Sequence, residues 1–544
     1  MQTDVLEGVR LSPQQSHVWL LEQSDKSGAY RAQCAILLEG SLEVGLLKRA
    51  VALAVQAHSI FRTTFHYRAG MVLPIQVVTP DRSFVWREVN LGGGREKDLD
   101  AAVDELIKQE RSFQFDLRQG PVLTSSLFEV SSERHLLVVT LPALCADMTT
   151  VANLADELRN TYADLISDGD LEQINDSDGI EYIRIAEWQN EMTEEEGPER
   201  AYWFENDFSE LISVTLPFEN KSFTGLAFEP DSLSVIVNSF TVDGISALVQ
   251  RYQTSTSHFI LACWQLLLWR LTGQADIVVG AGSDGRNYDE LQGAFGPIAK
   301  YLPIRSRLDS SQKFDRLLRH CTQASEKNSR FPEYFSWEHF SGADDTGGPG
   351  FFPFLYEYQE VPNKLSVGQL AFSLRNLYAC IDRFKMKLSC IHKEHSLVVE
   401  FHYDSQLIRR DNIERLSRQF GTLLEQVMVN PETAIGEVEI ISDEERRQVI
   451  TDFNDTKRES PNLECWQVIF EKQAAGRPDS IAVVVENEQL SYGELNGRAN
   501  QLAHYLQSEG VGPEVSVGLC FQRSTEMIVA IIGTLKAGGA YVPR

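Results

Sequence analysis

The feature that most constrains this chain is an alternation of helical and strand periods that runs to about residue 435, divided near its middle by an acidic stretch. Leu46 to His58 carries apolar residues at helical spacing, and Arg134 to Leu141 is a short apolar strand ending at Pro142. Val151 to Leu165 is helical again. Ser167 to Gly179 is acidic and poor in apolar residues, which predicts a surface link. Beyond it, Phe240 to Arg251 and Ser255 to Leu271 read as helices, and Asp276 to Gly280 as a buried strand entering a Gly-rich loop. Ser341 to Gly350 reads as a loop, Ser396 to Tyr403 as a strand and Arg409 to Val427 as a helix. No short-period repeat is present. The pattern predicts two α/β halves of similar size, residues 8–175 and 180–435.

The character changes near Ile440. Ser442 to Arg447 is a charged helical stretch, Phe453 to Thr456 and Pro461 follow, and residues 436–462 read as a linker to a further domain over 463–544. By length alone, 544 residues predict about three or four domain-sized units.

A net charge of −28 argues against nucleic acid and against an anionic membrane surface, both of which need clustered Lys and Arg. The eight cysteines form no C-x-x-C pair, which argues against a zinc site or redox motif and points to a reducing compartment. Met1 to Asp4 is no signal peptide, and Phe259 to Trp269 is too short to span a bilayer and reads as a buried helix. These features place the chain in the cytoplasm.

Several segments, in order, resemble condensation domains of nonribosomal peptide synthetases. They are Leu11-Ser12-Pro13-Gln14-Gln15 with Trp19-Leu20; His58 to Phe65; Tyr182 to Gln189 with Tyr202-Trp203; Gly285-Arg286-Asn287 through Gly296; Tyr301 to Arg305; and Tyr403-Asp404-Ser405 through Phe420. Phe352 to Gln359 resembles the strand flooring the family's tunnel, whereas Pro332-Glu333-Tyr334 departs from a place where the family has a nearby His. Further on, Leu490 to Leu495 resembles the first adenylation motif, and Leu535 to Pro543 closely matches the second. The Gly538-Gly539 pair is equally read as a packed turn between helix and strand. The resemblance implies a chloramphenicol-acetyltransferase-like pseudo-dimer, two α/β halves forming a V around a tunnel. An incomplete α/β adenylation fragment follows as one edge of a larger domain, its core exposed.

In the family the active-site motif is H-H-x-x-x-D-G, whose second His handles the proton of the attacking amine or the charged tetrahedral state. The matching segment is Pro142-Ala143-Leu144-Cys145-Ala146-Asp147-Met148. Pro142 and Ala143 replace both histidines and Met148 replaces the glycine, so no catalytic residue is carried over. Asp147 matches, and the resemblance implies a structural pairing with Arg286. His135, upstream on the same strand, and Cys145 are the remaining candidates for chemistry, though residues of either type in such places are more often packing residues. Thr149 and Thr150 read as the start of a helix. The heterocyclization variant D-x-x-x-x-D-x-x-S fits poorly, since its frame here is Pro142, Asp147 and Thr150.

The resemblance implies amide formation between acyl and aminoacyl groups held as phosphopantetheinyl thioesters on carrier domains, in secondary-metabolite peptide biosynthesis. The partners expected are a donor carrier in trans and the acceptor carrier of the intact module. No cofactor or metal is expected on this chain, since ATP and magnesium belong to the intact adenylation domain, and no adenylation is expected of this segment. Two alternatives stand beside it: an inactive domain recruiting a carrier or a tailoring enzyme, and another acyl transfer or cyclization on the same scaffold.

Overall fold

The predicted alternation becomes two six-stranded mixed sheets with flanking helices. The computed structural model describes residues 8–67, 70–92, 96–168, 180–204, 214–223, 225, 227–337, 349–361, 365–393, 396–456 and 464–543. Residues 169–179 of the acidic link, 341–348 of the Gly/Asp loop and 457–463 of the linker lie outside them, as does Met1 to Asp4. The chain divides into two compact units, Met1–Arg446 and Arg447–Arg544.

In the first unit, the first sheet runs in the order Leu365–Val367, Leu370–Ala379, Arg31–Glu39, Arg134–Pro142, Thr124–Ser131, Val85–Asn90. The second runs Lys300–Arg307, Asp276–Ser283, Phe354–Glu360, Met386–Lys393, Ser396–Asp404, Pro230–Val237. Leu370–Ala379 falls in the second half by sequence yet pairs antiparallel with Arg31–Glu39 of the first. The partition into residues 8–175 and 180–435 therefore has an exception in space.

The physical reason is burial. Alternate residues of Phe354–Glu360 face two different cores: Leu355 packs with Leu141, Tyr162, Tyr301 and Phe352 from both halves, whereas Phe354 and Tyr356 pack with Trp264, Phe314 and Phe420. A shared core and an exchanged strand make the halves one unit, so the chain packs as two compact units where length alone predicts three or four.

The second unit is built locally. Helix Tyr492–Ser508 starts at a capping box in which Ser491 and Glu494 satisfy each other's backbone N–H groups. Gly538, at φ +88°, turns the chain from helix Thr525–Lys536 into strand Ala540–Pro543, and a Cβ on Gly539 would come within 2.7 Å of Val511. Ile481 and Val484 on one strand and Tyr541 and Val542 on another remain exposed.

Candidate active site

Strand Arg134–Pro142 is held on both sides, by Arg31–Glu39 and Thr124–Ser131. The chain leaves it at Pro142. Ala143 N–H donates to the Tyr30 carbonyl at 3.0 Å, and Cys145 N–H donates back to Pro142 at 2.9 Å, closing a tight turn. Ala143 to Asp147 are buried, none more than 3% exposed. Helix Met148–Asp168 follows. Thr149 and Thr150, expected to start it, lie inside its first turn. Asp147, the residue just before the helix, caps it instead, its Oδ1 accepting from Thr150 N–H at 2.7 Å.

The same carboxylate closes on Arg286. Nη1 reaches Oδ2 at 2.9 Å and Nη2 reaches Oδ1 at 3.1 Å, a two-pronged pair. The Ile298 and Ala299 N–H groups donate to Oδ2 at 2.9 and 2.8 Å. Thr150 Oγ1 lies 2.7 Å from Oδ1 and 2.8 Å from the Gly296 carbonyl, either of which can take its proton. Burial pushes the Asp147 carboxyl up, but Arg286 and the Ala299 and Thr150 N–H groups outweigh it and hold the carboxyl below its ordinary range. Arg286 also donates to the carbonyls of Asp284, Ala294 and Gly296. Both ions are therefore fully engaged.

Segments far apart in sequence converge on this lock. Gly296, at φ +127°, lies against the Tyr182 ring, and a Cβ there would come within 2.1 Å of it. The Tyr182 hydroxyl lies 2.8 Å from Ser12 Oγ and donates to the Pro297 carbonyl at 3.2 Å. Gln15 Nε2 donates to the Leu144 carbonyl at 3.0 Å, so the opening motif grips the loop directly. The His58 ring packs at a tilt against Phe295 with ring centres 3.8 Å apart and bonds Glu157 at 2.8 Å.

The structure brings together Pro142, Ala143, Cys145, Asp147, Met148 and Arg286, but not His135. That residue is the second of the strand that Pro142 ends, opposite Leu38, roughly 24 Å away at strand spacing. Burial lowers its pKa despite Glu129. Burial raises the Cys145 thiol far above its ordinary range, keeping it protonated and poorly nucleophilic. With Asp147 saturated, no residue from Pro142 to Met148 presents a free proton acceptor.

Sequence reasoning missed three buried groups. Tyr301 donates to Glu357 Oε1, whose other oxygen takes Lys387 Nζ at 2.8 Å; Lys387 also donates to the Ala379 carbonyl at 2.7 Å, tying the second sheet to the exchanged strand. Lys300 is buried, donates to Phe335 at 3.5 Å, and burial lowers it to about 8 against the pull of Glu333. His17 Nε2 lies 2.9 Å from Asp382 Oδ1, and its ring stacks on Trp337 with centres 4.6 Å apart. His17 sits inside the opening motif segment, its one available signal; Asp382 is 365 residues away and carries none.

Comparison with known proteins follows the same division. A condensation-domain family model matches residues 5–450, and an AMP-binding-enzyme model matches residues 470–544. The chain belongs to the condensation domain family and continues into the start of an AMP-binding domain. It is similar to gramicidin S synthase 2 of Brevibacillus brevis, 28% identical over 98% of this chain and 12% of that protein. It is also similar to surfactin synthase subunit 2 of Bacillus subtilis, 27% identical over 98% of this chain and 14% of that one, so it spans a small fraction of these relatives. In structure it resembles a four-domain nonribosomal peptide synthetase bound to AMP and glycine: TM-score 0.82, 18% identity, 99% of this chain and 42% of that one. Among the described residues, no group of three or more His, Cys, Asp or Glu could hold a metal ion, and no helix is long and apolar enough to cross a membrane.

Proposed function

We propose that this chain serves in a nonribosomal peptide synthetase module of the cytoplasm, forming an amide between acyl and aminoacyl groups carried as phosphopantetheinyl thioesters on donor and acceptor carrier domains. The observation that carries the reading is the Asp147–Arg286 lock, on which Ser12, Tyr182 and Gly296 converge around the family's motif loop. In the reaction the amine nitrogen bonds the thioester carbonyl carbon, the C–S bond breaks, and the nitrogen's proton leaves with the sulfur as a thiol. A thioester is already activated, so holding the two ends in place supplies much of the barrier reduction, about 7–11 kcal/mol in favourable cases. ATP and magnesium belong to the intact adenylation domain.

A second reading is an inactive domain that recruits a carrier or tailoring enzyme; the loop's lack of a free proton acceptor favours it. Intact-mass measurement separates the two. The chain is mixed with an acyl-loaded donor carrier and an aminoacyl-loaded acceptor carrier. Condensed product on the acceptor above the no-enzyme control is the expected result. Carrier binding without product, in conditions where a histidine-bearing condensation domain works, supports recruitment instead.

A further inference from the structure

The surface between strand Lys300–Arg307 and helix Phe314–Asn328 runs against the charge of the chain that carries it. The whole chain has 50 Lys and Arg against 78 Asp and Glu. Here a groove of about 980 Å³ is walled by Arg307, Lys313, Arg316 and Arg319 against two carboxylates, Asp309 and Asp315. Local structure puts them there. Side chains alternate along the strand, so Ser306 points inward to Gln265 and Arg307 outward. On the helix Leu317, Leu318 and Cys321 are buried, which leaves Arg316, Arg319 and His320, at spacings of three and four, on the outer face.

The groove is fastened at both ends. His320 Nε2 lies 2.8 Å from the Arg305 carbonyl and ties helix to strand. The Phe314 and Asp315 N–H groups donate to the Thr433 and Pro431 carbonyls at 3.0 and 2.9 Å, and Ile435 N–H donates to Gln312 at 2.8 Å. With those helix-start N–H groups taken, the groove's charge is that of its side chains. Several of these are already paired. Asp315 meets Arg319, Lys313 meets Glu432 at 3.4 Å, and Asp309 accepts from Ser311 N–H at 2.9 Å. Arg307 and Arg316 are exposed, and among the described residues neither has a carboxylate within salt-bridge distance.

We propose that this groove docks an acidic segment of a partner protein, whose carboxylates pair with Arg307 and Arg316. A guanidinium presents parallel N–H groups that match a carboxylate two at a time. At physiological salt, charges beyond about 8 Å are largely screened, so a segment seated in the groove feels these arginines rather than the net −28 of the chain. A nucleic acid has phosphates that run on past the groove over the rest of an acidic chain, whereas an acidic protein segment confines its charge to a patch of the groove's size. The proposal concerns a surface apart from the motif loop and does not depend on amide formation.

The test measures binding of fluorescein-labelled octaglutamate to the full chain by anisotropy, with oligothymidylate of equal length and inorganic tripolyphosphate as comparison probes. Octaglutamate is expected to bind at low salt and to weaken as salt rises from about 50 to about 300 mM. The double variant Arg307→Glu/Arg316→Glu is expected to weaken it by at least about tenfold. The variant Arg118→Glu/Arg251→Glu changes net charge equally at exposed arginines elsewhere, and is expected to leave binding within about twofold. Folding of each variant is read from its denaturation midpoint. If the double reversal does not fold, Arg307→Gln/Arg316→Gln takes its place, with an expected loss of about fivefold. Absence of octaglutamate binding to the native chain at low salt overturns the proposal. So does a loss no greater than that of the Arg118/Arg251 variant, which marks general charge rather than the groove. Tighter binding of oligothymidylate or tripolyphosphate, lost in the same groove variant, also overturns it, since the groove is then a phosphate site.

Discussion

The two ends of one loop behave in opposite ways. At Asp147 every lone pair of a buried carboxylate is met, by Arg286, by Thr150 and by two backbone N–H groups. Four residues earlier, at Ala143, the chain is equally buried but carries no functional group. The lesson is that the architecture and the chemistry of this site are separable. The lock holds a loop in place against the second half, whatever the loop's first residues are, because its energy comes from ions and backbone at the other end.

The largest expected effect breaks the well-satisfied end. Arg286→Ala leaves a buried charge unpaired and is expected to destabilise the first unit by about 3–5 kcal/mol. Asp147→Ala should cost a similar amount, and the double variant less than the sum of the two, as measured by denaturant unfolding. Additive losses would mean that the two ions do not act as a pair.

A smaller effect concerns how the lock is seated. Gly296→Ala brings a Cβ into the Tyr182 ring at a backbone angle that L residues avoid. It is expected to cost about 1–3 kcal/mol in the same unfolding experiment. A cost near zero would show that the Tyr182 ring can step aside.

Lys300 sharpens the comparison through pH. Its folded pKa of about 8 lies below the roughly 10.4 of an exposed lysine. Between those values the unfolded chain binds more protons, so this group makes stability rise with pH across that window and adds no slope below it. Lys300→Met should remove that rise, seen by comparing denaturation midpoints at about pH 7.5 and 9.5. An unchanged slope would place the lysine's charge in a better-solvated setting than its burial implies.

The smallest expected effect is at Cys145. Its thiol is buried and pushed up, so Cys145→Ala should leave amide formation within about twofold, and thiol reagents should label the exposed Cys465 and Cys520 first. A large loss of rate in a folded Cys145→Ala chain would return chemistry to the loop.

Much of the fold was legible without coordinates. The helices at 44–57, 148–168, 239–252 and 410–429 were readable because one face of each is buried, and burial leaves a 3.6-residue period, whereas 256–272, buried all round from Phe259 to Leu268, was readable as one long apolar run. Strand Arg134–Pro142 was readable as a short apolar run bounded by a proline. The exchange of Leu370–Ala379 into the first sheet was not, since a strand's alternation says which face is buried and not which neighbour it joins. Thr150 was readable as a helix-start residue, but its part in the Asp147–Arg286 lock depends on Gly296, 146 residues away.

By itself, then, the sequence determined the order of the motifs, the division near residue 440 and the absence of histidine from the motif loop, because these are properties of residues in line. What most of the buried charges meet is set only by packing: Lys387 sits on Glu357 and His17 on Asp382, pairs separated by 30 and 365 residues, whereas Arg286 on Asp147 is the pair the family resemblance already implied. Desolvation makes such a group costly unless a partner is placed within hydrogen-bond reach, and it is the packing of the two sheets that places it there.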